Sequence, residues 1–221
     1  MITGQQLKQL APNLDLSLAI KIADLLDKIC PIYGINKNTI LHDFLANCIH
    51  ESAGFTRCVE GLNYQTVALI KKFGRHRISV DDCYRYGRTL KQKANQVMIA
   101  NILYGGDWGF KNLGNVKKDD GWNLRGSGPM QITGRMLCTK FAKYYNRLKG
   151  TSYTTEQISE LLRTSIEVGI HGACWLFCVE KRLIDEAISD KVVAIRKSIN
   201  GGTFGLDEVI KLTNKAQSIL T

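Results

Sequence analysis

Between residues 38 and 53 the apolar side chains fall at Ile40, Leu41, Phe44, Leu45, Cys48 and Ile49. An α-helix gathers that spacing onto one face, and a strand does not. Residues 16–29 repeat the pattern with Leu18, Ile20, Ile22, Leu25, Leu26 and Ile29. Asp15 is placed to cap that helix, and Pro31 and Gly34 to end it. In the 38–53 helix Asn38 is the expected N-cap and Gly54 the expected stop. The same period predicts helices over 66–73, 92–103, 135–148, 155–162, 165–179, 190–198 and 206–219. Only three prolines interrupt the chain, and no internal repeat or linker divides it. The expectation is a mostly α fold, one domain over 1–221, with at most a short β-hairpin near 58–63 or 122–133. Residues 105–128 are rich in Gly, Asn and Asp around Trp108, Phe110 and Trp122. They read as a long loop, and such loops are often functional.

Hydrophobic residues make up 44% of the 221 and charged residues 23%, enough core and too little charge for disorder. The net charge of +10 suits a polyanionic partner such as nucleic acid, an anionic membrane face or an acidic cell-wall polymer. It equally suits a well-solvated surface. The excess concentrates in 71–93, where Lys71, Lys72, Arg75, Arg77, Arg85, Arg88, Lys91 and Lys93 face only Asp81 and Asp82. This segment is read as part of a small basic sub-lobe. A basic nucleic-acid-binding protein is the rival from another class. Neither helix-turn-helix nor zinc-finger spacing is present, so nucleic acid is not expected as the partner.

The seven cysteines are odd in number, and Cys48, Cys138 and Cys174 sit among apolar neighbours as small core residues would. They read as reduced thiols of a protein made in a cytoplasm. The four histidines are scattered, so neither a metal site nor a cofactor is expected. The N-terminus lacks the pattern of a signal peptide, and no apolar run is long enough to span a membrane.

Two carboxylates stand out. Glu51 lies in the last turn of the 38–53 helix, three residues after Cys48 and seven after Phe44, at the edge of the apolar stripe. Partial burial and the negative end of the helix dipole both favour its protonated form, which suits a general acid. Glu60 follows beyond Gly54 in an irregular stretch, where it stays hydrated and ionised as a general base does. Each also has an ordinary reading as a surface carboxylate. Asn63 and Tyr64 beside Glu60 are candidates to hydrogen-bond a sugar, or simply form a turn and a cap.

The string from Phe44 through His50 and Glu51 to Phe55 resembles the catalytic helix of glycoside hydrolase family 19, which includes chitinases and chitinase-like phage endolysins. Three more strings are similar to that family in the same order: Glu60 to Tyr64, the glycine-rich run Arg125 to Arg135, and Ile199-Asn200-Gly201-Gly202. The resemblance implies a lysozyme-like, two-lobed helical fold and an inverting mechanism with Glu51 as acid and Glu60 as base. In that mechanism the carboxyl groups stand roughly 6.5–9.5 Å apart, leaving room for a water. By motif position it implies that Thr133 holds the water, that Gln131 and Asn200 bind substrate amides or hydroxyls, and that His50 supports Glu51. Capping explains Gln131 and Thr133 as well, and a turn explains Asn200. The chain departs from the pattern at Ser127, where many members carry a second Arg.

The short gap between Glu51 and Glu60 resembles the phage enzymes, which favours peptidoglycan over chitin. The expected protein is a monomeric phage endolysin, made in the host cytoplasm and reaching the wall through a separate membrane-permeabilising protein. Its positive charge suits an anionic cell-wall or outer-membrane surface. Trp108, Trp122 and Tyr64 are candidates to stack on sugars, although Trp is more often core. The alternatives are a chitinase, a lytic transglycosylase needing one acid, and a catalytically inactive wall-binding module.

Overall fold

A computed structural model describes residues 2–220. Among these residues there are fourteen α-helices and no strand. The expected mostly α fold is what forms. The short hairpin allowed near 58–63 or 122–133 reduces to the isolated bridges Val59–Ser127 and Ser127–Ile132. Gly128 and Gln131, at φ +76° and +53°, turn the chain before a ladder can extend.

The chain forms two compact units, one of residues 2–58, 128–131 and 162–220, the other of 59–127 and 132–161. The first contains α1 (Gly4–Leu10), α2 (Leu16–Ile29) and α3 (Asn38–Glu51), and, near the C-terminus, α11 (Ile166–Trp175), α12 (Ile184–Ile188), α13 (Val192–Asn200) and α14 (Leu206–Ile219). Helices α12, α13 and α14 all pack on α3. As a result every residue of α3 from Ile40 to Ile49 is buried, including His42, Asp43 and Asn47. The apolar stripe is therefore only half of the story: the polar face opposite it is buried too.

Burying polar groups without partners is costly, and much of that face is hydrogen-bonded, with Asp43 Oδ2 and His42 Nδ1 the exceptions. The Asn47 amide donates to the Asp43 carbonyl at 2.9 Å, and the Thr213 hydroxyl donates to the Asp43 carboxyl at 3.2 Å. Asn38 does not cap α3 as expected. Lys37 occupies the cap position, and the Asn38 amide instead donates to the Leu220 carbonyl at 2.9 Å.

Burial raises the Asp43 carboxyl to about 7, and the Thr213 bond offsets this only in part. In the unfolded chain the same group ionises near 3.8. Between those values the folded protein keeps a proton that the unfolded chain has lost, so this group lowers stability as pH rises, levelling off above about 7. Asp43→Asn cannot ionise. In urea unfolding followed over that pH window, the variant should gain on the wild type as pH rises. A constant difference between the two would refute the account.

The second unit contains α4 (Thr66–Lys72), α5 (Val80–Tyr86), α6 (Gln96–Leu103), α7 (Gly106–Leu113), α8 (Asp120–Asn123) and α9 (Gly134–Lys149). The remaining helix, α10 (Thr155–Thr164), begins in this unit and ends in the other. The core of the second unit is Leu62, Leu69, Ile78, Cys83, Ile99, Ala100 and Leu103.

The stretch read as a long loop, 105–128, contains α7 and α8. Two internal glycines and few strong helix formers hid α7 from its sequence, and tertiary contacts hold it instead. The Asn115 amide donates to the Tyr104 carbonyl at 2.8 Å. Asp120, buried, accepts the Val116 and Lys117 N–H groups and a two-pronged bond from Arg135 on α9. Those donors hold its carboxyl below the usual range against the effect of burial. Helix α1 was also unforeseen, although Thr3 and Gln6 form a reciprocal capping box at its start. The predicted start of the sixth helix at residue 92 moves to Gln96, capped by Asn95.

Cys48, Cys138 and Cys174 are buried as their neighbours suggested. No described helix is long and apolar enough to cross a membrane.

Candidate active site

Glu51 closes α3, and the chain then turns sharply. Ala53, Gly54 and Phe55 all take positive φ, at 48°, 72° and 62°. Three successive left-handed residues are unfavourable for non-glycine side chains and persist only when the surroundings hold them. Ser52 does so: its hydroxyl donates to the Cys48 carbonyl at 2.6 Å and accepts the Phe55 N–H at 2.8 Å. Gly54 N–H closes on the Ile49 carbonyl at 2.8 Å. The end of the helix that carries Glu51 is thus pinned.

The partner of Glu51 is Arg196 of α13. Its Nη1 donates to Glu51 Oε1 at 2.5 Å and lies 3.4 Å from Asn47 Oδ1, while its Nε donates to the Phe204 carbonyl at 2.9 Å. Arg196 is only 1% exposed, whereas Glu51 is 22% exposed. A buried cation thus grips one oxygen of a partly exposed carboxylate. Sequence reasoning missed Arg196, because one Arg in an amphipathic helix looks like any solvated cation.

His50 lies next to Glu51 in sequence, but its Nδ1 stands 3.0 Å from Glu208 on α14. Its ring packs against Gly205, where a Cβ would collide with the imidazole, and Gly205 also needs its φ of +73°. The side chain that holds Glu51 directly is Arg196, and His50 is anchored elsewhere.

In the second unit Glu60 is fixed from three sides. The Tyr104 hydroxyl donates to Oε1, and the Gly126 N–H donates to Oε2 at 3.1 Å. Its own N–H donates to the Gly126 carbonyl at 2.9 Å. Each carboxylate oxygen still has an unused lone pair to accept a water proton. Burial first, and then the charge of Glu60, push the Tyr104 phenol far above its ordinary value, so it remains a donor.

Behind Tyr104 stands Arg77, whose guanidinium lies 3.4 Å from the Trp108 ring centre and donates through Nε and Nη2 to the Leu103 carbonyl. Neither Tyr104 nor Arg77 was singled out as a site residue from the sequence. The one signal for Tyr104 was an aromatic at the edge of the glycine-rich stretch.

Tyr104→Phe removes one donor to Glu60 and keeps the ring in place. Turnover should fall about tenfold with little change in KM, since one hydrogen bond to a charged group is worth roughly 1.5 kcal/mol. An equal rise in KM with turnover intact would show that Tyr104 only shapes the binding surface.

The remaining residues take varied places. Thr133 occupies the N-cap position of α9, yet its side chain makes no capping bond to that helix. Gln131 adopts φ +53°, and its amide donates to the Gly128 carbonyl at 3.1 Å. Strain at a polar residue of this kind is a mark of functional segments. Asn200 accepts the Gly202 N–H and donates to the Phe204 carbonyl, both at 2.8 Å, so its amide shapes the turn beside Arg196.

Asn63 is exposed. Tyr64 packs edge-on against Phe73 and accepts from Lys72 at 3.1 Å. Trp122 borders the core of its unit, and the Arg125 guanidinium covers its ring at 3.6 Å. Trp108 and Trp122 therefore each have one face occupied by an arginine. Ser127, where the family pattern often has Arg, is fully buried with its hydroxyl on the Arg125 carbonyl at 2.7 Å. Among the described residues no group of three His, Cys, Asp or Glu side chains stands ready to hold a metal ion.

No family model matches the chain. A protein of Haemophilus influenzae described as a glycosyl hydrolase family 19 domain-containing protein is 31% identical to it over 169 residues. The match spans 76% of this chain and 74% of that protein.

Proposed function

The chain belongs to glycoside hydrolase family 19 and is a glycoside hydrolase of the chitinase- or lysozyme-like kind; from that premise we propose that it cleaves β-1,4 linkages of bacterial peptidoglycan, as a phage endolysin, by an inverting acid–base mechanism.

The observation that carries this reading is the unlike setting of the two carboxylates. Glu51 ends a rigid, buried helix with Arg196 on one oxygen. Oε2 is then the oxygen that carries the proton to the leaving group. As that proton departs, the guanidinium meets the charge developing on the carboxylate, a stabilisation already in place before the reaction. Glu60, on an irregular segment, accepts donors on both oxygens and receives no cation directly. That arrangement suits a base drawing a proton from water. In this reading Thr133 orients the water, Gln131 holds substrate, and Asn200 shapes the turn next to Arg196.

Peptidoglycan is preferred over chitin because only nine positions separate Glu51 from Glu60, as in the phage enzymes that the motifs resemble. All seven cysteines are free thiols, which suits synthesis in a reducing host cytoplasm and passage to the wall through a separate permeabilising protein.

Digestion of purified peptidoglycan and of chitin oligomers, followed by mass analysis of the products and NMR of the freshly released reducing ends, tests the proposal. Reducing-end muropeptides of inverted anomeric configuration are expected. Anhydro-sugar products would make it a transglycosylase, and cleavage of chitin alone would make it a chitinase.

A further inference from the structure

On the face of the second unit formed by α4, α5 and residues 87–92, several apolar side chains are largely exposed. Leu90 is 106% exposed, Tyr84 63% and Val67 58%. With Arg88 they line one shallow depression. This exposure does not come from a slack loop. The Gln92 amide donates to the carbonyls of Tyr84, Arg85 and Gly87 at 3.3, 3.1 and 2.7 Å. Thr89 N–H donates to the Gln92 carbonyl at 2.9 Å, and Arg88 N–H to the Tyr64 carbonyl at 2.8 Å. The fold spends a set of hydrogen bonds on a short turn and then presents a leucine at its tip. A single exposed leucine is unremarkable, but one grouped with a tyrosine and a valine around a depression marks a contact surface.

One cation, Arg88, lines this depression, and others flank it in the chain. Arg85, Arg88 and Lys91 are all exposed. The nearby acids Asp81 and Asp82 lie in the first turn of α5, where Asp82 is engaged by the Ser79 hydroxyl at 2.7 Å. An aliphatic tip with Arg88 beside it in the depression, and Arg85 and Lys91 exposed close by in the chain, complements a bilayer of anionic lipids. The apolar side chains enter the boundary between headgroups and acyl chains while the guanidinium and ammonium groups meet lipid phosphates. An anionic wall polymer would engage the cations and leave Leu90 without a role.

We propose that this face docks on the surface of anionic phospholipid bilayers. The proposal stands apart from the hydrolase reading, because its readout is binding and not cleavage.

The test is co-sedimentation of the full chain with vesicles of phosphatidylethanolamine and phosphatidylglycerol, and separately with vesicles of phosphatidylcholine. Binding to the first and not to the second is expected. Leu90→Ser should weaken it about tenfold, as loss of partial leucine burial predicts. Joint replacement of Arg85, Arg88 and Lys91 by Gln should weaken it about a hundredfold. All four side chains are solvent-exposed, so both variants should keep the wild-type unfolding midpoint. Equal binding to both vesicle types, or binding untouched by Leu90→Ser, would overturn the proposal. So would binding confined to purified peptidoglycan sacculi, which would assign the cations to the wall polymer.

Discussion

If Glu51 is the general acid as proposed, Glu51→Gln is expected to yield a folded protein whose turnover falls about a thousandfold, the middle of the range for loss of such a group. Gln has the same shape and still offers a carbonyl oxygen to Arg196 Nη1, so the tie between α3 and α13 survives in weakened form. What it lacks is a proton to give to the leaving oxygen. Because Glu51 is 22% exposed, water screens part of the lost ion pair, and the stability cost stays well below that of a fully buried pair. Turnover and substrate binding are to be measured together with the urea midpoint. An intact midpoint and binding with turnover lost is the signature of a group that acts in the transition state. Turnover within tenfold of wild type would remove Glu51 from the mechanism.

Arg196→Leu is expected to cost about 3 kcal/mol of stability, because buried acceptors lose a charged donor while the freed Glu51 carboxylate keeps partial access to water. That corresponds to a drop of roughly 10 °C in the unfolding midpoint for a chain of this size. The side chain is 1% exposed and joins three elements at once, through Glu51 and Asn47 on α3 and the Phe204 carbonyl beyond α13. Leucine fills some of the volume and leaves Glu51 Oε1 and Asn47 Oδ1 without their donor, while the Phe204 carbonyl keeps the one from Asn200. Turnover should fall as well, because Glu51 loses the group that holds Oε1. Arg196→Lys separates the two effects. It restores a charge to the pocket but not the planar fork that reaches Glu51 and Phe204 together. Stability is therefore expected to recover further than turnover. A leucine variant as stable and active as wild type would refute the assigned role.

Much of the helical framework was legible in the residues. The apolar spacing located α2, α3, α4, α9, α10 and α14 to within about three residues, because each of these helices carries a strong apolar pattern over two or more turns. The same method failed for α7, whose glycines give it little helical preference, and for the polar face of α3. The one-sided stripe carried no sign that His42, Asp43 and Asn47 are buried, since pattern reasoning assumes that a polar face meets water. Here α12, α13 and α14 cover it. Of the candidate site, Glu51, Glu60, Gln131 and Thr133 stood out through local strings and position. Arg196 and Tyr104 did not, because each lies tens of residues or more from the carboxylate it holds.

By itself the sequence determined the helical class, the boundaries of the long helices and which acidic residues deserved attention, since these depend on periodicity and on neighbours a few positions away. The tertiary structure alone decided which groups those acids touch: a buried guanidinium for one, and a phenol and a backbone N–H for the other. The reason is physical. The behaviour of an acid is set by the charges and donors within a few ångströms, and only the packed chain brings residue 196 to residue 51 or residue 104 to residue 60.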